Sequence, residues 1–399
     1  MRILLLGEKC KPYISILKKN LDKSWKISTW LPNEGEKSLI KKYEKAEIIV
    51  TGFDAMNAGN VFKNIPKANN LKLLQIPFVG IDWLDRSFIP SDVMIANASG
   101  HEIAMAEYCI GVMLSLALDL HNVDQSFRSG SWENWPGLHK TKLINSEIFN
   151  KTLGIIGYGL IGQECAKRAK NLGMKVMGIN RERRKVIPAN LDWHGSVKEI
   201  DELLKLSDYI ILSCDLNETT YNLINEKTLK KMKKTSFLIN VARGGVCNEK
   251  DLFNYLKSKK IAGAALDTWW VYPYTNKKNK KPNPSNFPFN QLSNIIMTPH
   301  NSSNTIESDV RRAVYMSKNF IAFKNNDDVG SYSLGALKHD RTRKGYIYTI
   351  EHNEIKYENE YGWKLSKEVV EKMISENRIH FVTKSKNMYI KVYKHEHKG

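Results

Sequence analysis

The stretch LGIIGYGLIGQECAKRAKNLGMKV, beginning at Leu153, constrains the fold of this chain more than any other. Gly157, Gly159 and Gly162 are spaced GxGxxG, with Leu160 and Ile161 between the last two. They directly follow a short apolar run and open an amphipathic helix predicted over 163–172. A second strand is predicted over 175–179. Each glycine has a separate physical task. Gly157 permits a tight turn, Gly159 lets a ligand approach the backbone, and Gly162 lets helix and strand pack closely. The helix N-terminus then offers unsatisfied N–H groups and positive potential to an anion. A strand, a glycine turn, a helix and a second strand in this order predict a dinucleotide site.

The second strand ends Asn180-Arg181-Glu182-Arg183-Arg184. A site for NAD usually places an acid there to accept bonds from the ribose 2′-OH. Asn180 cannot repel a phosphate, and Arg181, Arg183 or Arg184 can pair with one. The reading therefore favours NADP over NAD as cofactor.

At 399 residues the chain exceeds what one hydrophobic core usually serves. RILLL, AEIIVTG, LKLLQIP and VMIAN lie within the first hundred residues. LGIIG, KVMGIN, YIILSC, SFLINVA, IAGAALD and NIIMTP follow. Short apolar runs joined by helical stretches predict an α/β fold. Two doubly wound parallel-sheet domains are expected, Rossmann-like and flavodoxin-like, with a small α+β module at the C-terminus. A helix is expected over 303–324, then a polar linker. From about residue 333, YIYTI, IKYEN, IHFVT and MYIKVY read as strands and LSKEVVEKMISE as a helix, a ββαββ module. Residues 275–285, rich in Lys, Asn and Pro, read as a loop insertion.

Composition narrows the setting. Five scattered cysteines without a CxxC argue against a disulfide framework or a zinc site and fit a reducing compartment. The N-terminal apolar run is too short for a signal-peptide core. The stretch 103–118 is shorter than the roughly 20 residues a membrane span needs. A cytoplasmic protein with no membrane partner is expected. The formal charge of +19, from 61 Lys and Arg against 42 Asp and Glu, raises nucleic acid as a partner. The basic residues are mostly Lys and spread along the chain, so a solvated surface is the favoured account.

Further motifs occur in a fixed order: FVGIDWLD at 78–85, NASGHEIAMAE at 97–107, RSGSW at 128–132, ETTYNLIN at 218–225, INVARGG at 239–245, GAALDTWW at 263–270 and MTPH at 297–300. With the GxGxxG unit they resemble the D-isomer-specific 2-hydroxyacid dehydrogenases over about residues 1–330. The chemistry points the same way. Reducing a 2-oxo acid needs a cation for carboxylate and carbonyl oxygens and an acid for the new alkoxide. Arg243 follows a strand and can hold planar oxyanions with two parallel bonds. The resemblance makes His300 the proton donor. It places Val79 and Gly80 in the loop that holds the substrate carboxylate, Asp267 at the nicotinamide carboxamide, and Cys214 and Val241 along the nicotinamide end. It also implies a homodimer and a substrate-binding domain from residues 1–100 and 298–330. The dinucleotide domain is then 101–297, and the C-terminal module is 331–399.

One departure bears on mechanism. The family usually has a Glu paired with the catalytic His, five residues after the Asp matched by Asp267. Here Tyr272 stands there, and no Asp or Glu occurs between Asp267 and His300. Tyr272 is therefore the expected partner of His300, orienting it through its hydroxyl. Asp215 stands where the family commonly has Pro, and Asn301-Ser302-Ser303 replaces the usual Ile/Gly-rich sequence.

The expected activity is NAD(P)H-dependent interconversion of a small 2-oxo acid and a D-2-hydroxy acid. The rival is a non-catalytic dinucleotide-sensing regulator or corepressor-like protein. In it the C-terminal module would bind nucleic acid or protein. That module weakly resembles one in some site-specific DNA methyltransferases, and Lys384, Lys386, Lys391 and Lys394 with Tyr389 and Tyr393 are its candidate contacts. An oligomerisation or capping role is the preferred reading, since so small a module needs most of its aromatics inside.

Overall fold

The structure is a computed structural model. It describes residues 1–52, 54–55, 60–138, 145–273 and 282–325, together with short strands near the C-terminus. The chain divides into two compact units, Met1–Gly100 with Asp309–Gly399, and His101–Ser308. The sequence reading put the second of these boundaries after Met297.

The first unit is built on five parallel strands: β1 (Arg2–Leu6), β2 (Lys26–Trp30), β3 (Ile48–Thr51), β4 (Leu73–Gln75) and β5 (Met94–Ala96), ordered β2-β1-β3-β4-β5. Its inner strands β1, β3 and β4 are nearly continuous buried runs because both faces of a parallel sheet are covered, whereas β2 mixes in polar residues. Along β1, Ile3 and Leu5 pack with Tyr13 and Leu17 of helix α1 (Tyr13–Asn20) and with Phe320. Leu4 and Leu6 point the other way, to Leu39 and Tyr43 of helix α2 (Gly35–Tyr43). Each such aliphatic side chain contributes about 1.5–3 kcal/mol over leaving it exposed.

The second unit opens with α3 (Glu102–Ala117) and α4 (Leu120–Arg128). The apolar stretch at 103–118 is thus a core helix. Its Ala106, Cys109 and Met113 cluster with Cys165, Ala166 and Ala169. Among the described residues no single helix is long and apolar enough to cross a membrane. Seven strands follow: β6 (Thr152–Ile156), β7 (Lys175–Asn180), β8 (Trp193–Ser196), β9 (Tyr209–Leu212), β10 (Phe237–Asn240), β11 (Gly263–Leu266) and β12 (Ile295–Met297). All pair in parallel, in the order β12-β11-β10-β9-β6-β7-β8. This is the doubly wound dinucleotide-fold order with one added strand, and its direction reverses between β6 and β9. Both sheets match the expected α/β class.

Helix α5 (Leu160–Asn171) starts three residues earlier than the sequence predicts, because the Gly159 carbonyl already accepts from the Gln163 N–H. Helices α6 (Ile200–Leu206), α7 (Glu226–Leu229) and α8 (Glu249–Lys257) complete the unit. Helix α9 (Ile306–Lys324) starts at Ile306, where Thr305 Oγ1 accepts from the Ser308 N–H, rather than at residue 303. Near the C-terminus Gly335–Ala336, Ile379–Val382 and Asn387–Ile390 form one antiparallel sheet, and Ile350–His352 pairs with Ile355–Tyr357. The expected helix LSKEVVEKMISE, Lys384, Lys386, Lys391, Lys394 and Tyr393, and most of the 275–285 insertion lie outside the described residues.

Candidate active site

The sheet of the second unit reverses direction between β6 and β9, and the glycine loop lies there. The N–H groups of Gly157 and Tyr158 both donate to the Ile179 carbonyl, tying the loop to the end of β7. Gly157 has φ +98°, and a Cβ on it would meet the Cys214 nitrogen at 2.5 Å. A Cβ on Gly162 would meet the Gly157 carbonyl oxygen at 2.8 Å. At Gly159 a Cβ would meet nothing within 4 Å. Two glycines are thus required by the protein's own packing, whereas Gly159 faces open space. Gly159 caps α5 without a side-chain bond, so Leu160 and Ile161 begin the helix with its N–H groups turned to that space. The cradle fits a pyrophosphate.

Cys214 follows β9 across the reversal, where Ser213 Oγ donates to the Gly157 carbonyl at 2.9 Å. Burial pushes the Cys214 thiol up to about 11, which leaves it neutral and no nucleophile.

The end of β7 shows an arrangement that the sequence did not reveal. The backbone N–H of Arg184 donates to His194 Nδ1 at 3.1 Å, and His194 Nε2 lies 2.9 Å from Asn180 Oδ1. A ring nitrogen accepting from a backbone amide carries no proton. His194 is therefore neutral, with its hydrogen on Nε2, donating to Asn180. Arg184 Nη2 donates to the Tyr158 carbonyl at 3.2 Å, its guanidinium 5.4 Å from the Tyr158 ring. Arg183 pairs with Glu199 at 3.5 Å. Among the described residues Arg181 makes no ion pair. Strand β7 ends in Asn180 rather than in an acid.

Beyond β10, Asn240 is fully buried and clamps the next turn. Its Oδ1 accepts from the Ala242 N–H at 3.0 Å and its Nδ2 donates to the Arg243 carbonyl at 2.9 Å. Val241 is buried, and Arg243 follows in extended conformation. Gly244 is needed because a Cβ there would meet the Trp269 backbone at 2.4 Å. Adjacent strands lie about 4.8 Å apart. Residues after β10 and β12, with β11 between, therefore emerge on one sheet edge roughly 10 Å apart.

Asp267, fully buried after β11, organises the turn after β12. Its Oδ1 accepts from Thr298 Oγ1 at 2.7 Å and the Asn301 N–H at 2.9 Å, and its Oδ2 accepts from the Ser302 N–H at 3.1 Å. Because Thr298 donates to the carboxylate, Tyr108 from α3 donates in turn to Thr298, at 2.7 Å. Burial and then nearby Asp267 hold the Tyr108 phenol well above its usual range, so it stays protonated. His300 sits in this turn with φ +57°, a left-handed conformation uncommon for a residue with a Cβ. Tyr272 Oη accepts from the Trp269 N–H at 3.1 Å and lies 2.8 Å from His300 Nδ1. Sequence reasoning missed Asn240, Tyr108 and His194, which act on the named residues from behind.

Val79 and Gly80 belong to the first unit, in the segment after β4. Asn97 Nδ2 donates to the Val79 carbonyl at 3.0 Å, and Trp83 Nε1 donates to the Gly80 carbonyl at 2.9 Å. A trans peptide points its N–H opposite to its C=O. Fixing the Val79 carbonyl therefore aims the Gly80 N–H.

Residues 110–302 match the family model described as D-isomer specific 2-hydroxyacid dehydrogenase, NAD binding domain. A glyoxylate reductase of Pyrococcus horikoshii is 32% identical over 320 residues, covering 77% of this chain and 90% of that protein. Among solved structures, a D-isomer specific 2-hydroxyacid dehydrogenase family protein from Aeromonas salmonicida superposes with a TM-score of 0.69 at 26% identity, covering 82% of this chain and 97% of that one. An acyclic imino acid reductase (Bsp5), solved with NADPH and D-Arg, gives 0.65 at 25% identity, covering 82% and 99%. The likeness to the archaeal relative runs far beyond the glycine loop and through nearly the whole of that protein, and on that ground the chain belongs to the D-isomer specific 2-hydroxyacid dehydrogenase family.

Proposed function

We propose that the protein reduces a small 2-oxo acid to a D-2-hydroxy acid with a nicotinamide cofactor, NADPH in preference to NADH. The observation that carries this reading is His300, held through Nδ1 by Tyr272 on the sheet edge that also presents Arg243. When bound, the cofactor supplies the hydride for the carbonyl carbon. Arg243 binds the substrate carboxylate and steadies charge on the carbonyl oxygen. Val79 and Gly80 offer backbone N–H groups to the carboxylate, and Asp267, Cys214 and Val241 border the nicotinamide. His300 Nε2 gives its proton to the oxygen as the alcohol forms. Tyr272 serves both states of the ring. Its hydroxyl donates to Nδ1 of the neutral imidazole and its second lone pair accepts from Nδ1–H of the imidazolium.

Asn180 and Arg181 support the NADPH preference. The protein is expected to work as a homodimer, with residues 331–399 as a capping or oligomerisation module; their methyltransferase-like pattern adds no catalytic motif. A panel of 2-oxo acids, glyoxylate first since relatives bear that name, assayed with NADPH and NADH tests the activity. Steady turnover with at least one acid is expected. Tight cofactor binding without turnover of any would transfer the protein to the regulator reading.

A further inference from the structure

We propose that His194 sets the cofactor preference by fixing the side-chain amide of Asn180 with its NH2 group outward, so that the end of β7 turns a donor toward the ribose 2′ position. The inference rests on the reading of the Gly157–Gly162 loop as a dinucleotide site.

One donor in this network has a fixed identity. The Arg184 amide N–H must donate, so His194 Nδ1 accepts and Nε2 carries the hydrogen. The atom of Asn180 facing Nε2 must then be its oxygen, 2.9 Å away. The amide orientation of an Asn is settled by such a network, and here the chain Arg184 N–H, His194, Asn180 has one polarity. With Oδ1 held against the His194 ring, the group that Asn180 turns to a ligand is Nδ2. A 2′-phosphate is an acceptor alone and matches Nδ2 together with the Arg181 cation. A ribose 2′-OH in an NAD site is instead held by an acceptor. An Asn free to rotate would serve either.

The ring is well placed to hold this arrangement. His194 is fully buried on β8, opposite Gly178 of β7, with the Tyr158 ring 6.3 Å away edge-on. The charged groups acting on it are Arg184 and Arg183, with Glu199 opposing them. The same His194 thus touches the residue between the first two glycines, the residue ending β7, and the backbone of the arginine segment. His194 is a positioning residue; it does not itself meet the cofactor.

The test uses the full chain and two near-isosteres. Gln places an amide nitrogen near the position of Nε2 and retains the donor to Asn180. Asn places an oxygen near Nδ1 and retains only the acceptor for Arg184. Dissociation constants for NADPH and NADH are measured by protein fluorescence for wild type, His194→Gln, His194→Asn and His194→Leu. Wild type should prefer NADPH. His194→Gln should keep that ratio within about threefold, while His194→Asn and His194→Leu lower it about tenfold, the size of one net hydrogen bond. If His194→Leu fails to fold, the Gln and Asn variants still decide. Equal ratios in those two variants, or an unchanged ratio in folded His194→Leu, would overturn the proposal. So would a wild-type preference for NADH, with the dinucleotide site itself left standing. Binding of neither cofactor by wild type would bring down the underlying reading and the proposal with it.

Discussion

Oη of Tyr272 lies 2.8 Å from Nδ1 of His300 and also accepts the backbone N–H of Trp269, so one phenol ties the ring to the segment after β11. A carboxylate in this place can only accept, and its charge favours the imidazolium. A phenol carries no such bias. Tyr272→Glu should therefore move the falling limb of the reduction rate to higher pH, by about one unit or roughly 1.4 kcal/mol. Substrate-saturated pH profiles of wild type and variant measure it. An unmoved limb in a folded, active variant would separate Tyr272 from the proton step.

Tyr272→Phe removes the hydroxyl and leaves both the Trp269 N–H and His300 Nδ1 without this partner. Trp269 is buried, and a lost bond to a buried group costs about 1–3 kcal/mol. We expect kcat to drop at least about tenfold while cofactor affinity stays near the wild-type value. Equal losses in both quantities would instead indicate a general collapse of the turn.

Arg243→Ala should lower kcat/KM by several orders of magnitude and leave dinucleotide binding nearly intact. The loop keeps its shape because Asn240 grips the backbone at Ala242 and Arg243, which the substitution does not alter. Near-normal turnover would remove Arg243 from the mechanism.

Two glycines of one motif should fail in different ways. In Gly159→Ala the new methyl enters open space, so thermal stability should hold while dinucleotide affinity drops. In Gly157→Ala the methyl meets the Cys214 backbone nitrogen at 2.5 Å from a residue at φ +98°, so stability itself should drop. Melting curves beside cofactor titrations distinguish the two. Asn180→Asp combined with Arg181→Ala should shift preference toward NADH, because His194 Nε2–H then holds one carboxylate oxygen and the other faces the ribose.

Burial holds the His194 imidazole below its ordinary range, with Arg184 and then Arg183 adding to the effect. A lowered histidine favours the neutral ring in the folded state. Its stabilising contribution is complete above the unfolded value of about 6.5 and declines as pH falls through it, where the unfolded chain takes up the proton first. Melting temperature should therefore drop more for wild type than for His194→Gln between about pH 8 and about pH 5.5.

Ten of the twelve strands in the two large sheets were legible, because a strand buried on both faces is an unbroken apolar run. The two that were not, KISTW and WHGS, are β2 and β8, each at one edge of its sheet. The opposite edges, β5 and β12, keep apolar runs, whereas KISTW and WHGS mix in polar residues and do not stand out from loops. His194 was hidden for the same reason. Only the pairing of Gly178 with His194 brings it beside Asn180. That Arg243 follows a strand and that the glycine loop joins strand to helix were legible from local spacing, while His300 and Tyr272 were paired by resemblance alone. Tyr108 reaches Thr298 across 190 residues of sequence, a closeness that no local pattern encodes.

Asp267 gives the turn at His300 a property beyond its shape. The carboxylate is fully buried, and its partners in the turn are one hydroxyl and two backbone amides. Opening the turn alone would strand an unneutralised charge inside the second unit, a cost of several kcal/mol. The turn is consequently bound to the fate of the sheet beneath it. Although they lie in a loop at the surface of the sheet edge, the amide hydrogens of Asn301 and Ser302 should exchange with solvent as slowly as those of β11, through global opening rather than local fraying.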